Sequence, residues 1–307
     1  MPVPLGSAPT VGIKQAINGQ PSALSTPALI SVNRSTNALE FWPISAHGGK
    51  DPQAFAQHLG LSGADAMAAR GTTLYIANSG SQSIVSYDVV TKHETTLPDT
   101  LGLPLDIAVG KDASVYVAND GKPSNVAMYP PGSTQPIELI CPLMSFVDGV
   151  AVNNEGDILV NGWASGGFPS GIFEIPNGPR GPEPKKCFLL HLKYGSGAVA
   201  GYAINPKTDD LVVLDNPSQC AGGAEGRMTI YPRPYIRTNG VSRILGGNCT
   251  GGLWINADST LVYYGDSDVS GSFNFIRTAQ FPNGKSSGTY SGGASGPFAT
   301  IPNTLPN

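Results

Sequence analysis

The chain has 307 residues, a formal net charge of −4, only 13% charged residues, and 39 glycines with 27 prolines. An apolar fraction of 40% supports a sizeable core and excludes high-charge disorder, so the glycine and proline read as the turns of a large β domain. No Lys/Arg run is present, which argues against nucleic acid or an anionic membrane as partner, and no apolar run approaches the roughly 18 residues of a membrane span.

Residues 1–26 are small, polar and proline-containing, without the charged and apolar regions of a signal peptide. They read as a flexible N-terminal segment, like the start of a mature secreted protein. Residues 27–59 then supply PALISVNRS, ALEFWPI and AFAQHL, which match the second, third and fourth strands of a four-stranded unit that lacks its first. The complete units follow. Asp65 opens DAMAA and leads to LYIAN, ending at Asn78; Asp106 opens DIAVG and leads to VYVAN, ending at Asn119; Asp148 opens DGVAVN and leads to DILVN, ending at Asn161. The Asp-to-Asn spacing is 13 residues in all three. A fourth unit runs from AGYAIN near Ala200 to LVVLD at Asp215, and a fifth from GGLWIN near Gly251 to LVYYGD at Asp266. Third and fourth strands recur as SIVSYD, NVAMYP, GIFEIP, RMTIYP and FNFIRTAQFP, several ending before a proline, where no ladder donor is needed.

The tail segment GPFATI has the length and position of the missing first strand. Four short strands cannot bury both faces of their sheet, and a ring of such sheets removes the free edges. The expected fold is all-β: a six-bladed β-propeller, four antiparallel strands per blade, closed by pairing of the N- and C-terminal segments. One domain covers 27–303, and 304–307 form a short tail. A seven-bladed ring and a double β-sandwich are the alternatives to this count.

PLDIAV, LYIAN, VYVAN and YPPGSTQPI resemble the NHL-repeat and six-bladed lactonase-like propellers, a group that includes regucalcin, gluconolactonase and virginiamycin B lyase. The resemblance spans about 27–301 and is one of repeats. It implies a top-face pocket and, for the lactonase-like members, a divalent metal held there by Glu, Asn and Asp. Virginiamycin B lyase works with histidine near its metal. Here His47, His58, His93 and His191 all fall in outer strands or connections, so that part of the resemblance stops.

Strand order alone sorts the polar residues. First strands line the central channel, so Asp65, Asp106 and Asp148 belong at its mouth, with Asn78, Asn119, Asn161, Asp215, Asp266 and Asn33 ending second strands just outside. An oxygen-rich cluster of this kind suits a hard cation, Ca²⁺ or Mg²⁺, with Asp65, Asp106, Asp148, Asn119 and Asn161 as the ligand set. The competing expectation is structural: each Asp accepts backbone N–H bonds from the neighbouring blade and each Asn caps a turn. Trp163, Asp215 and Asp266 flank the mouth and complete the expected ligand-binding set. The run Asp266-x-Asp268-x-Ser270-Gly271 looks like the front of a Ca²⁺ loop, but Arg277 stands where an EF-hand needs Glu.

No GxSxG, HExxH or phosphate loop is present, and no base is placed for a Ser-His-Asp triad. The four cysteines show no CxxC spacing. Top-face loops bring Cys220 and Cys249 together as the expected disulfide, while Cys141 and Cys187 map to opposite ends of their blades and read as buried thiols. The expectation is a monomeric protein, secreted, periplasmic or at the cell surface, that binds a small molecule, glycan or peptide at the channel mouth. The alternative is a metal-dependent lactonase, hydrolase or lyase at the same place.

Overall fold

The computed structural model describes residues 28–33, 36–44, 48–49, 53–56, 59–166, 170–192, 199–215, 226–235, 239–245, 250–267, 273–291 and 298–301. Six four-stranded antiparallel meanders form the blades. Blade one comprises Ala64–Arg70, Thr73–Asn78, Ser83–Asp88 and Glu94–Pro98; blade two comprises Leu103–Val109, Val115–Asp120, Asn125–Tyr129 and Ile137–Leu139. Blade three comprises Met144–Val152, Ile158–Ala164, Ser170–Ile175 and Phe188–Leu189; blade four comprises Val199–Ile204, Leu211–Asp215, Arg227–Tyr231 and Val241–Ile244. Blade five comprises Thr250–Ile255, Leu261–Ser267, Phe273–Gln280 and Ser286–Ser291. Blade six is split as the repeats require: Phe298–Ile301 lies inside Ala28–Asn33, followed by Ala38–Pro43 and Gln53–Ala56. The closing register pairs Ala28 with Ile301 and Ser31 with Phe298. The expected domain limits at 26/27 and 303/304 lie outside the described residues.

The core is six cores, one in each gap between neighbouring blades. Second strands have both faces buried, so alternate residues serve alternate gaps. In blade two Val117 packs toward blade one, while Tyr116 and Ala118 pack toward blade three. In blade four Leu211 and Val213 face blade three, and Val212 and Leu214 face blade five. The closing gaps are filled by Ile30, Val32, Leu39 and Phe41 against Leu74 and Ile76, and by Leu29 and Trp42 against Tyr263 and Tyr290. Continuous apolar runs such as LVVL follow from this double duty.

Two features were not expected. Gly48–Gly49, between the outer two strands of blade six, leaves that blade and pairs in parallel with Thr289 and Tyr290 at the outer edge of blade five. Gly48 has φ +78°, and a Cβ there would fall 1.9 Å from the Thr289 carbonyl oxygen, so only glycine fits. Second, Cys141 and Cys187 form a disulfide with a Cα–Cα distance of 5.7 Å. This corrects the expectation of two buried thiols at opposite ends. Counting strand ends as top or bottom works for inner strands, but sheet twist accumulates to roughly 60–75° over three steps and swings outer strand ends sideways. Cys141, in the crossover from blade two to blade three, thereby meets Cys187, which leads into the outer strand of blade three. Cys220 and Cys249, the expected pair, lie outside the described residues.

Candidate functional site

Each inner strand of blades one to five carries a register break near the channel mouth. The extra residue is Asp65 in blade one, between the pairs Ala64–Asn78 and Ala66–Ala77. It is Leu105 in blade two and Asp148 in blade three. Blades four and five place Ala200 and Gly252 there. A bulge leaves its extra residue unpaired and re-aims the side chain, which here turns Asp65 and Asp148 out at the mouth, both exposed.

The equal Asp-to-Asn spacing therefore hides two different placements. Asp106 lies one step inside its bulge, opposite Ala118. Asn78 and Asn119 share one step, outside the bulge, whereas Asn161 sits one step deeper, opposite Gly149, where the first two blades have Ala77 and Ala118. The side chains behave accordingly. Asn78 Oδ1 accepts from Ser62 N at 2.6 Å, and its Nδ2 donates to Gly60 O and to the hydroxyls of Ser81 and Ser83, each at 3.2 Å. Asn119 Nδ2 donates to Asn125 Oδ1 at 3.3 Å, and Asn125 in turn holds Leu101 O. Both asparagines tie a blade to the chain entering it. Asn161 is 6% exposed and its Oδ1 has no hydrogen-bond partner among the described residues.

Asp106 follows the structural expectation. Its Oδ2 accepts from Val150 N of blade three at 2.8 Å, and its Oδ1 accepts from Ile107 N at 2.9 Å. Burial pushes its carboxyl up to about 7, the two N–H bonds pull the other way, and Asp148 adds a smaller upward push. Asp65 is different: its Oδ2 lies 2.6 Å from the Ser79 hydroxyl within its own blade. Although its side chain is exposed at the rim, partial desolvation by the channel walls, and then the charge of Asp65, raise the Asp148 carboxyl above its ordinary value. Tyr202 was not singled out by its sequence, yet it is the hub of the deep wall. Its hydroxyl donates to Leu159 O at 3.0 Å and accepts from Asn161 N at 3.1 Å. Burial, followed by the field of Asp106, raises its phenol well above the usual range. Gly149 makes room for this packing, since a Cβ there would lie 2.9 Å from Tyr202 Cε1 and 3.2 Å from Asp106 Oδ2.

These residues enclose a cavity of about 250 Å³ on the channel axis, to which all six blades contribute. Asp65 and Met67 come from blade one, Asp106 from blade two, Asp148 and Asn161 from blade three, Tyr202 from blade four, Leu253 from blade five and Phe298 from blade six. A larger hollow of about 520 Å³ follows the outer edge of blade five, lined by Gly48, Gly49 and the Ser286–Ser291 strand. It offers backbone and hydroxyl groups and no ionisable side chain, so the chemistry concentrates at the mouth.

Of the remaining expected site residues, Asn119 is fully buried one layer behind the cavity. Trp163 stands on the extended blade-three hairpin, 61% exposed, against the ring of Phe146 at 5.8 Å. Asp215 and Asp266 lie in the second strands of blades four and five, and their side chains lie outside the described residues. So do the 268–272 loop, His47 and His58. Among the described residues, no three acidic, histidine or cysteine side chains gather as a metal-ligand set.

No protein-family profile and no curated protein sequence matches the chain. Solved structures do. A chain of a nidogen–laminin complex aligns over 91% of this chain and 100% of its own length, with TM-score 0.68 at 15% identity. TolB from Acinetobacter baumannii aligns over 94% of this chain and 70% of its own, with TM-score 0.60 at 13% identity. A gluconolactonase from Xanthomonas campestris aligns over 88% and 87%, with TM-score 0.57 at 11% identity. At these identities the likeness is one of architecture, and together with the closed ring of six sheets it identifies the chain as a six-bladed β-propeller.

Proposed function

We propose that the protein is a ligand-binding propeller whose site is the cavity at the channel mouth, taking a small molecule, a sugar or a short peptide segment. The observation that carries this reading is convergence: inner strands of all six blades meet around one cavity with a polar wall at Asp65, Asp148 and Asn161 and an apolar wall at Met67, Leu253 and Phe298. Such a mixed, preformed hollow on a rigid scaffold is the usual form of a small-ligand site. Its volume suits a side-chain-sized group or the head of a larger ligand. A cation-dependent hydrolase or lyase is the second reading, and the mutual repulsion of Asp65 and Asp148 is what favours it. The gluconolactonase and nidogen–laminin chains share the fold, which is compatible with either reading. The Cys141–Cys187 bond supports an oxidising, extracytoplasmic location.

Ligand-observed NMR with a small-fragment library tests the site. Fragments that bind the native protein should lose their signal in Leu253→Trp, which fills the cavity, while the melting temperature holds. Hits that survive this substitution place binding elsewhere. A calorimetric titration with Ca²⁺ and Mg²⁺, comparing native protein with Asp148→Asn, separates the two readings. Tight binding lost in the variant favours the cation-dependent enzyme.

A further inference from the structure

We propose that Gly48–Gly49 is a removable guard on the outer edge of blade five, and that the edge it covers is a strand-pairing surface for a second copy of this chain.

The first observation is the edge itself. The outer strand of a propeller blade has one unpaired side, and an unpaired side is a template for another strand. Other blades blunt that side by charge, proline or brevity. Glu94–Pro98 carries Glu94 and Pro98, and Ile137–Leu139 has Glu138 at its centre. Phe188–Leu189 is two residues, Val241–Ile244 carries Arg243, and Gln53–Ala56 is four residues. Ser286–Ser291 of blade five is the longest of the six, with six residues, SSGTYS, and neither charge nor proline. A bulge at Ser287 blunts its beginning, since Thr278 pairs with Gly288 and Ala279 with Ser286. Gly288–Ser291 is left as a regular edge, and Gly48–Gly49 lies across its middle, at Thr289 and Tyr290.

The second observation is that the guard is held without side chains. A Cβ on Gly48 would fall within 2.5 Å of the Thr289 backbone nitrogen and carbonyl carbon and nearer still to its oxygen, and one on Gly49 would fall 2.8 Å from Trp42 Cδ1. Two bare backbone units therefore rest on the edge and on the Trp42–Tyr290 pair, whose ring centroids are 6.0 Å apart. A contact this short, with no apolar side chain of its own, belongs to the part of a structure that opens most readily. Beside it the hollow of about 520 Å³ runs along Ser286, Ser287, Gly288, Thr289 and Ser291.

A second copy suits this edge. Its strand is uncharged, so two of them meet without like-charge repulsion. Identical strands related by a two-fold axis run antiparallel. An axis between Thr289 and Tyr290 sets each Thr289 opposite a Tyr290 and each Gly288 opposite a Ser291, a β-branched residue against an aromatic one and a glycine where room is needed. The guard occupies the same two residues, so guard and second copy exclude each other.

The test compares the native full chain with Gly48→Val, which cannot keep the guard docked, by light scattering over a concentration series and by hydrogen exchange of the Ser286–Ser291 amides. The native chain should keep one mass throughout. Gly48→Val should double its mass as concentration rises, and its Ser286–Ser291 amides should gain protection over the same range. Adding Thr289→Lys puts a charge on each side of the two-fold axis and should restore the native mass. A Gly48→Val chain that stays at the native mass overturns the proposal. So does association that leaves these amides unprotected, or that Thr289→Lys does not reverse. If Gly48→Val fails to fold, the native chain decides. Its Thr289–Tyr290 amides should exchange at least about tenfold faster than those of Leu29–Ile30, because the guard opens without the blade. A single common rate for both pairs overturns the proposal.

Discussion

Asn78 and Asn161 end the same kind of sequence run, yet the register gives them opposite roles. Asn78 makes four hydrogen bonds, two to the chain entering blade one and two to the turn between its second and third strands. Asn161 has a buried Oδ1 with no hydrogen-bond partner among the described residues. Asn78→Ala should therefore cost about 2–3 kcal/mol in urea unfolding, and Asn161→Ala less than about 1 kcal/mol, because no bond is lost in the second case. Similar losses at both positions would contradict the register argument. Asp106 carries a pH dependence whose sign is fixed. Its folded pKa, about 7, lies above the ordinary carboxyl value, so the folded state holds the proton longer than the unfolded chain does. Its contribution to stability falls as pH rises from about 4 to about 7 and is level above that. Asp106→Asn should flatten this part of the stability–pH curve, while losing about 1 kcal/mol at neutral pH because an amide offers one acceptor to two N–H donors. The carboxylates of the mouth were legible in the sequence, since strand order placed them. The distinction among them was not. Spacing counts residues, and a one-residue bulge that changes step from blade to blade leaves the count unaltered. Tyr202, Gly149 and Phe298 carried no signal, because AGYAIN, DGVAVN and GPFATI read simply as apolar inner strands.

At the scale of the element, blade three departs most from its neighbours. Its outer strand is only two residues, Phe188–Leu189, and pairs with Phe173 and Glu174 alone. Few ladder bonds hold it, and the disulfide from Cys187 to the blade-two crossover takes over that task. The bond closes a loop with a sequence separation of 46. In the chain-entropy account this is worth roughly 4 kcal/mol. Cys141→Ala and Cys187→Ala, singly or together, should each lower the unfolding free energy from urea titration by that full amount, and reductant should lower the native protein to the same value. A double variant no less stable than either single one is expected, since the same bond is removed in each case; a reductant-insensitive native protein would refute the role. The pairing was hidden from sequence reasoning because twist, which no residue pattern reports, decides where an outer strand ends.

At the scale of the whole molecule the repeats were nearly sufficient. Five full units and one split unit specify six blades, and the apolar second strands specify gaps filled from both sides. Ring closure should make the fold all-or-none at its seam. Removing residues 292–307 deletes Phe298–Ile301, exposes the inner edge of Ala28–Asn33 and takes Ala299 from the core between blades six and one. The truncated chain should lose the cooperative melt of the full chain and gain a concentration-dependent tendency to associate through its open edge. A melt indistinguishable from the full chain would mean that Phe298–Ile301 does not carry the closure.

The split blade also sets a timetable for the chain as it is made. Ala28–Pro43 is made before the other five blades and contains some of the most deeply buried side chains among the described residues, Leu29, Ile30, Leu39 and Trp42 among them. The strand that covers its inner edge is made only after the five other blades, and Thr289–Tyr290, on which Gly48–Gly49 docks, belongs to the last of those five. At ordinary rates of synthesis the hairpin waits some tens of seconds without either partner. During that interval a blade-sized apolar surface must be shielded by other means, and the exposed time is fixed by translation speed rather than by how tightly the finished ring holds together.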